Sequence, residues 1–300
     1  MINTDFVSRV TACGADCVCD APMKNHTTFH IGGPADYYIT ACSVMQLENI
    51  LSLCRELSID YMIIGNGSNL LICDEGLRKA VIRLGGEFKD ISVSENKITC
   101  GAGTTLSKLC SVAHGSSLSG LEFAFGIPGT VGGAVFMNAG AYGGEMRDVL
   151  TTVTHLTPEG KVETVPADTL ELSYRHSVYK SNDCIILKAE FSLTPDDKDE
   201  IKARMDDFMN RRITKQPLEF PSAGSVFKRP EGAFAGALIE QCGLKGTCVG
   251  GAQVSEKHSG FIVNIGNATC KDVMDLVALV QKKVKDETGY TLEREIIHLK

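Results

Sequence analysis

Apolar residues recur at helical spacing through Val44, Leu47, Ile50, Leu51 and Cys54, which predicts a helix over residues 44–57. Short apolar runs on either side read as strands at 37–40 and 61–64, the second running directly into Gly65-Asn66-Gly67-Ser68-Asn69. Further strands are predicted at 80–84 and 97–100, with a helix over 105–113. From 149 to 193 the pattern changes to short alternating runs (TTVTHLT, KVETV, IILKAEF) separated by Pro-Glu-Gly and Ser-Asn-Asp turns, which reads as antiparallel sheet. After it, Thr194-Pro195-Asp196-Asp197 opens a charged helix through about residue 212, with Thr194 or Asp196 as its cap. The last hundred residues predict a helix at 233–242, a strand at 261–265, a helix at 271–287 and a strand at 293–299. In the long helix Val273, Leu276, Val277, Val280 and Val284 form the buried stripe, and Lys282, Lys283 and Lys285 a solvated face. The fold class is therefore α+β, with a domain boundary near Pro195.

Composition fits this reading. The chain has 300 residues, 43% of them hydrophobic, enough for a large core and for two or three domains. A formal net charge of -7 argues against broad attraction to nucleic acid or anionic membrane, so an anionic ligand must be met by a local cluster. No apolar run approaches the roughly 18 to 20 residues that span a bilayer, and the N-terminus lacks the pattern of a signal peptide. A cytoplasmic protein is expected. Its 12 cysteines are then expected to be reduced and mostly buried as small apolar residues. Cys13, Cys17 and Cys19 lack the paired spacing of a zinc site, and no metal is expected.

Three features carry candidate chemistry. The first is Gly65-Asn66-Gly67-Ser68-Asn69-Leu70, which could form an anion nest after its strand or could be a tight loop whose glycines merely permit positive φ. The second is the nearly uncharged tract from Gly126 to Gly144, in which closely spaced glycines let backbone approach an extended ligand. Neither a P-loop nor a Rossmann fingerprint occurs, because Gly160-Lys161 is followed by Val162 and no G-x-G-x-x-G joins a strand to a helix. The third is the positive group Arg211, Arg212, Lys215, Lys228 and Arg229, suited to a diphosphate or carboxylate; surface pairing of Arg211 and Arg212 with Asp206, Asp207 or Glu219 is the alternative. Ser225 stands within this group in Ala223-Gly224-Ser225-Val226-Phe227-Lys228. A lone loop serine is ordinarily a turn or capping residue, and no G-x-S-x-G elbow surrounds this one.

In order along the chain, these motifs resemble the UDP-N-acetylenolpyruvoylglucosamine reductases of bacterial cell-wall synthesis. The resemblance rests on Asn25-His26-Thr27-Thr28-Phe29 with Ile31-Gly32-Gly33-Pro34-Ala35-Asp36, the GNGSNLL loop, and Gly126-Ile127-Pro128-Gly129-Thr130-Val131-Gly132-Gly133 continuing to Asn138 and Gly140. Tyr174-Arg175, the Ser225 motif and Leu292-Glu293-Arg294-Glu295-Ile296 complete it.

The resemblance implies FAD held by two subdomains (1–90 and 91–195) of the vanillyl-alcohol-oxidase-like type, and a UDP-sugar domain at 196–300. The cofactor contacts it implies are Gly65, Asn66, Gly67, Ser68, Asn69, Leu70, Gly126, Ile127, Pro128, Gly129, Gly132, Gly133, Asn138 and Gly140. NADPH would be the co-substrate, taking turns with the nucleotide sugar at the flavin. Arg175 would stabilise developing enolate charge, Ser225 would donate a proton and Glu295 would orient the substrate carboxyl. Tyr174, Lys215, Lys228 and Arg229 would bind substrate, and the protein is expected to be a monomer. His30 stands where the family often has a basic residue. Arg229, asparagine in the branch with an extra tyrosine loop, and the short interval from Tyr174 to Ser225 assign the chain to the branch without that loop. A different flavin oxidase of the same cofactor fold, or a non-catalytic nucleotide-sugar binder, are the rival readings. The third domain and the presence of Arg175, Ser225 and Glu295 discriminate against them.

Overall fold

A computed structural model describes residues 2–300. Helix α1 (Thr4–Ala12) is capped by Asn3, whose side chain accepts the Phe6 amide, and it turns Phe6 and Val10 inward. Strands β1 (Asp16–Pro22) and β2 (Pro34–Ala41) lead to helix α2 (Val44–Glu56), where Leu47, Ile50, Leu51 and Cys54 are buried as the apolar spacing predicts. Strand β3 (Tyr61–Ile64) is followed by β4 (Leu70–Ile72) and β5 (Leu77–Leu84), and β3 pairs in parallel with β5 from Tyr61↔Ala80 to Ile64↔Arg83.

Next come β6 (Ile91–Ser94), β7 (Lys97–Gly101), helix α3 (Leu106–Gly115), β8 (Leu118–Ser119), the short helix α4 (Val131–Phe136) and a small hairpin of β9 (Gly140–Ala141) and β10 (Gly144–Glu145). Strands β11 (Leu150–Leu156), β12 (Val162–Pro166) and β13 (Ile185–Ser192) complete a five-stranded sheet of order β12-β11-β13-β7-β6, antiparallel throughout. The alternation across 149–193 is thus the alternation of an antiparallel sheet.

Strand β14 (Thr194–Pro195) pairs with β8, which takes Thr194 away from the role of helix cap. Helix α5 (Lys198–Lys215) is capped instead at Asp197, whose carboxylate accepts the Asp199 and Glu200 amides. Beyond it lie β15 (Ser222–Ser225), helix α6 (Ala235–Gln241), β16 (Cys248–Val249), β17 (Ala252–Val254) and β18 (Phe261–Asn264), a sheet of order β15-β18-β17-β16. Helix α7 (Cys270–Thr288) opens on a Thr269–Asp272 capping box and ends at Gly289, which adopts φ +78°. The strand expected at 293–299 is shorter, β19 (Ile297–Leu299), because Arg294 bridges Phe227 while Ile297 onward switches to parallel pairing with Leu70–Ile72.

The chain divides into two compact units, Met1–Val18, Tyr37–Asn66 and Lys79–Asn210 in the first, and Cys19–Asp36, Gly67–Arg78 and Arg211–Lys300 in the second. The core of the second gathers Val273, Leu276, Val277, Val280 and Val284 of α7 with Leu238, Ile239, Val254 and Ile262. Full burial of each such side chain contributes about 1.5–3 kcal/mol. Six cysteines rather than most are buried: Cys54, Cys73, Cys100, Cys110, Cys242 and Cys270. The others sit at the end of α1 (Cys13), on the half-exposed β1 (Cys17, Cys19), in loops (Cys42, Cys184) and at the start of β16 (Cys248). Burial pushes the thiols of Cys54, Cys100, Cys110 and Cys270 up to about 12, so they remain protonated and unreactive. Among the described residues, no helix is long and apolar enough to cross a membrane.

Candidate active site

In the first unit the two glycine-rich segments meet. Asn66 donates from Nδ2 to the Pro128 carbonyl at 3.1 Å and accepts from Arg83 Nη2 at 3.4 Å. A Cβ on Gly65 would lie 2.4 Å from Thr130 Oγ1, so only glycine permits this approach. Thr130 caps α4 by accepting the Gly133 amide at 3.4 Å. Three backbone bonds pin the tract from behind: Leu106 N–H to Gly129 C=O at 3.1 Å, Val131 N–H to Thr104 C=O at 2.8 Å and Gly132 N–H to Ala102 C=O at 2.8 Å. Gly126 takes φ +83°, and Ile127 N–H closes a turn onto Ala124 C=O at 3.1 Å. Pro128 and Gly133 remain exposed. A Cβ at Gly133 would find only Thr130 Oγ1, at 3.5 Å, which leaves open room against the start of α4.

Arg175 occupies the tip of a tight turn in which Ser173 and His176 exchange backbone hydrogen bonds of 3.2 and 3.0 Å. It adopts φ +55°, a left-handed conformation costly for a long side chain. Its Nη2 donates to the Gly140 carbonyl at 3.2 Å, and its guanidinium carbon lies 5.1 Å from the centroid of the exposed Tyr174 ring. Asn138, by contrast, is wholly buried, and its amide bonds Glu145, Ser173 and Arg147.

In the second unit, Gly67 takes φ +63° against His26 and Thr27; a Cβ there would lie 2.4 Å from the His26 carbonyl oxygen. After Ser68, Asn69 accepts the Ile297 amide on its carbonyl at 2.9 Å and donates from Nδ2 to the Glu295 carbonyl at 3.3 Å, just before Leu70 opens the parallel pairing with Ile297. Ser225 ends β15 after Gly224 (φ +78°), opposite Phe261, and its hydroxyl donates to the Phe227 carbonyl at 3.2 Å. Immediately beyond it the chain runs antiparallel to residues 293–295: Glu295 N–H bonds Val226 C=O and Lys228 N–H bonds Glu293 C=O, each at 2.8 Å. Ser225 and Glu295, 70 residues apart in sequence, therefore stand on adjacent strand segments.

Two of the predicted substrate-binding cations already have partners. Lys228 pairs with Glu293 at 3.1 Å, and the Arg229 guanidinium carbon sits 3.9 Å from the Phe234 ring centroid. Lys215 is exposed in the last turn of α5. Arg212 is buried, 6% exposed, and donates to Gln216 Oε1 at 3.3 Å, so it is not a surface pairing residue.

Two polar arrangements escape the sequence. A Cβ on Gly260 would touch both His258 Cε1 at 3.0 Å and Ser225 Oγ at 3.4 Å, which sets the imidazole beside the serine. His258 Nδ1 lies 3.1 Å from the Gly260 amide, placed to accept it, and burial pushes the pKa of the ring down, which favours its neutral form. In the first unit, buried Glu122 accepts from Ser119 Oγ at 2.9 Å, Gly120 N–H at 2.8 Å and Arg204 at 3.0 Å. Burial alone would raise its pKa, yet these donors hold the carboxyl below the usual range. Neither feature carries a sequence signal, since each depends on contacts between distant residues.

The site and fold define a flavoprotein: residues 35–166 match the family model described as FAD binding domain. The chain is an FAD-dependent oxidoreductase of α+β fold. Residues 216–299 match the C-terminal domain of UDP-N-acetylenolpyruvoylglucosamine reductase. The reductase of Agathobacter rectalis is 50% identical over 309 residues, covering 98% of both chains, and that of Clostridioides difficile is 48% identical over 281 residues, covering 94% of this chain and 92% of its own. The crystal structure of the reductase from Thermus caldophilus superposes with a TM-score of 0.81 at 38% identity, over 95% of this chain and 99% of its own. This chain belongs to the UDP-N-acetylenolpyruvoylglucosamine reductase family. Its first unit suits the cofactor: the open approach to Gly133, beside an uncharged tract fixed by its own hydrogen bonds, lets backbone meet an extended nucleotide.

Proposed function

We propose that the protein reduces UDP-N-acetylglucosamine enolpyruvate to UDP-N-acetylmuramate with NADPH as the source of reducing equivalents, working as a cytoplasmic monomer. The observation that carries this reading is the pairing of the Ser225 and Glu295 segments through the Glu295 N–H to Val226 C=O bond of 2.8 Å. It joins a proton-bearing group and a carboxylate in the part of the chain that matches the reductase C-terminal domain.

FAD held in the glycine-rich cradle, once reduced by NADPH, would supply a hydride to the vinyl carbon of the enol ether. Negative charge then develops on the carbon beside the substrate carboxylate, and Arg175 stabilises it with a planar guanidinium. Ser225 Oγ gives its proton to that carbon. A hydroxyl is a weak acid, but the acceptor is a carbon base stronger than any carboxylate, so transfer is favourable when the geometry is tight. Glu295 orients the substrate carboxyl, Lys215, Lys228 and Arg229 meet its anionic groups, and Tyr174 packs against it. Lys228 and Arg229 exchange Glu293 and Phe234 for the ligand on binding. Gly65, Asn66, Gly67, Ser68, Asn69 and Leu70, with Gly126, Ile127, Pro128, Gly129, Gly132, Gly133 and Gly140, form the flavin cradle.

The test separates the half-reactions. In Ser225→Ala, NADPH should still bleach the flavin while reoxidation by the enol ether falls about 10²–10⁴-fold. Undiminished reoxidation would remove Ser225 from the proton-donor role.

A further inference from the structure

We propose that Asn138 is a positioning residue that holds Arg175 in its working orientation rather than a contact to the cofactor. This deepens, and rests on, the reading of Arg175 as the cation that stabilises substrate charge. Asn138 is 0% exposed, and both its Nδ2 and its Oδ1 are engaged. Nδ2 donates to Glu145 Oε2 at 2.9 Å and to the Ser173 carbonyl at 3.0 Å, while Oδ1 accepts the Arg147 amide at 3.0 Å. Rotating the amide by half a turn would set its oxygen against a carboxylate and a carbonyl, so its orientation is fixed by chemistry. Its φ of +41° is left-handed, a conformation asparagine tolerates better than other side-chain-bearing residues.

The two partners of Nδ2 belong to different pieces. Glu145 closes the β9–β10 hairpin opposite Gly140 and ion-pairs with Arg147. Ser173 opens the turn that carries Arg175, and its carbonyl also accepts the His176 amide. The far end of that turn is tied down by Ser177, wholly buried, whose hydroxyl donates to the Phe136 carbonyl at 2.7 Å. Arg175 itself reaches back to the Gly140 carbonyl, on the same hairpin. Backbone and side chain of the arginine are thus gripped by one rigid piece, and Asn138 is the bond that fastens the two. A left-handed arginine persists only where its surroundings over-determine it.

The experiment measures both half-reactions and melting temperature. Asn138→Ala should keep FAD and its reduction by NADPH to within about threefold, while reoxidation by the enol ether falls about 10²-fold, the scale of losing roughly an ångström of placement. Asn138→Asp, which can still accept the Arg147 amide but offers no donor to the Ser173 carbonyl, should leave reoxidation as low as Asn138→Ala does; restored reoxidation in Asn138→Asp would overturn the proposal. Asn138→Ala added to Arg175→Ala should cost less than about threefold more, because positioning an absent side chain is worth nothing. A full additional loss, or unimpaired reoxidation in Asn138→Ala while Arg175→Ala is crippled, also overturns it. Unimpaired reoxidation in Arg175→Ala overturns instead the reading on which it rests.

Discussion

The glycine-rich cradle and the Ser225–Glu295 strand pair reach precision by opposite routes. In the cradle, missing side chains do the work: Gly65 lies so near Thr130 that a Cβ would sit 2.4 Å from its hydroxyl, and backbone bonds from Leu106, Val131 and Gly132 hold the loop. In the strand pair, side chains with chemistry are aligned by ordinary sheet register between segments about seventy residues apart, through Glu295 N–H to Val226 C=O. On the proposed roles, a loop that binds by backbone would be sensitive to volume, whereas a strand that acts through a hydroxyl would be sensitive to chemistry.

The sharpest break of that contrast is Ser225→Ala, with its expected loss of about 10²–10⁴ in reoxidation and an unchanged flavin spectrum. Arg175→Lys comes next. One ammonium cannot reproduce a planar fork, so turnover should fall about 10–10²-fold with little change in flavin content; unaltered kinetics would detach the arginine from the chemistry. Gly65→Ala should show the reverse profile. Overpacking against Thr130 should cost about 1–3 kcal/mol of stability and lower FAD retention, with Ser225 chemistry intact in the fraction that keeps FAD. Equal FAD affinity would show that the cradle tolerates volume after all.

Arg204→Met probes the buried carboxylate of Glu122. It leaves Glu122 buried with its Ser119 and Gly120 donors only, and because the Arg204 side chain is 39% exposed the cost should be about 1–2 kcal/mol, read by thermal unfolding. The smallest effect is with pH. Burial lowers the pKa of His155, His258 and His298 in the folded state, so the unfolded chain binds more protons as pH falls below about 6.5. Stability should be fully present above that pH and decline below it. A melting temperature that rises from about pH 7.5 to about pH 5.5 would contradict the assignment.

Much of this was legible because periodicity reports burial. The α7 stripe from Val273 to Val284 is buried throughout, and the alternating runs between Leu150 and Ser192 form antiparallel sheet. The motifs likewise marked the segments that pair through Glu295 N–H and Val226 C=O, and the glycine at 65 whose approach to Thr130 a Cβ would block. What stayed hidden depends on distant partners. Thr194 looks like a cap until its pairing with Ser119 is seen, and Arg212 looks like a surface cation until its burial is. Asn138 gives no sign in the sequence that Glu145, Ser173 and Arg147 engage its amide.

The central claim is tested most directly by one spectrum. Purified protein should show flavin absorption that NADPH bleaches anaerobically, and adding UDP-N-acetylglucosamine enolpyruvate should restore it stoichiometrically with formation of UDP-N-acetylmuramate. Flavin that is reduced yet stays bleached in the presence of that enol ether would contradict the account.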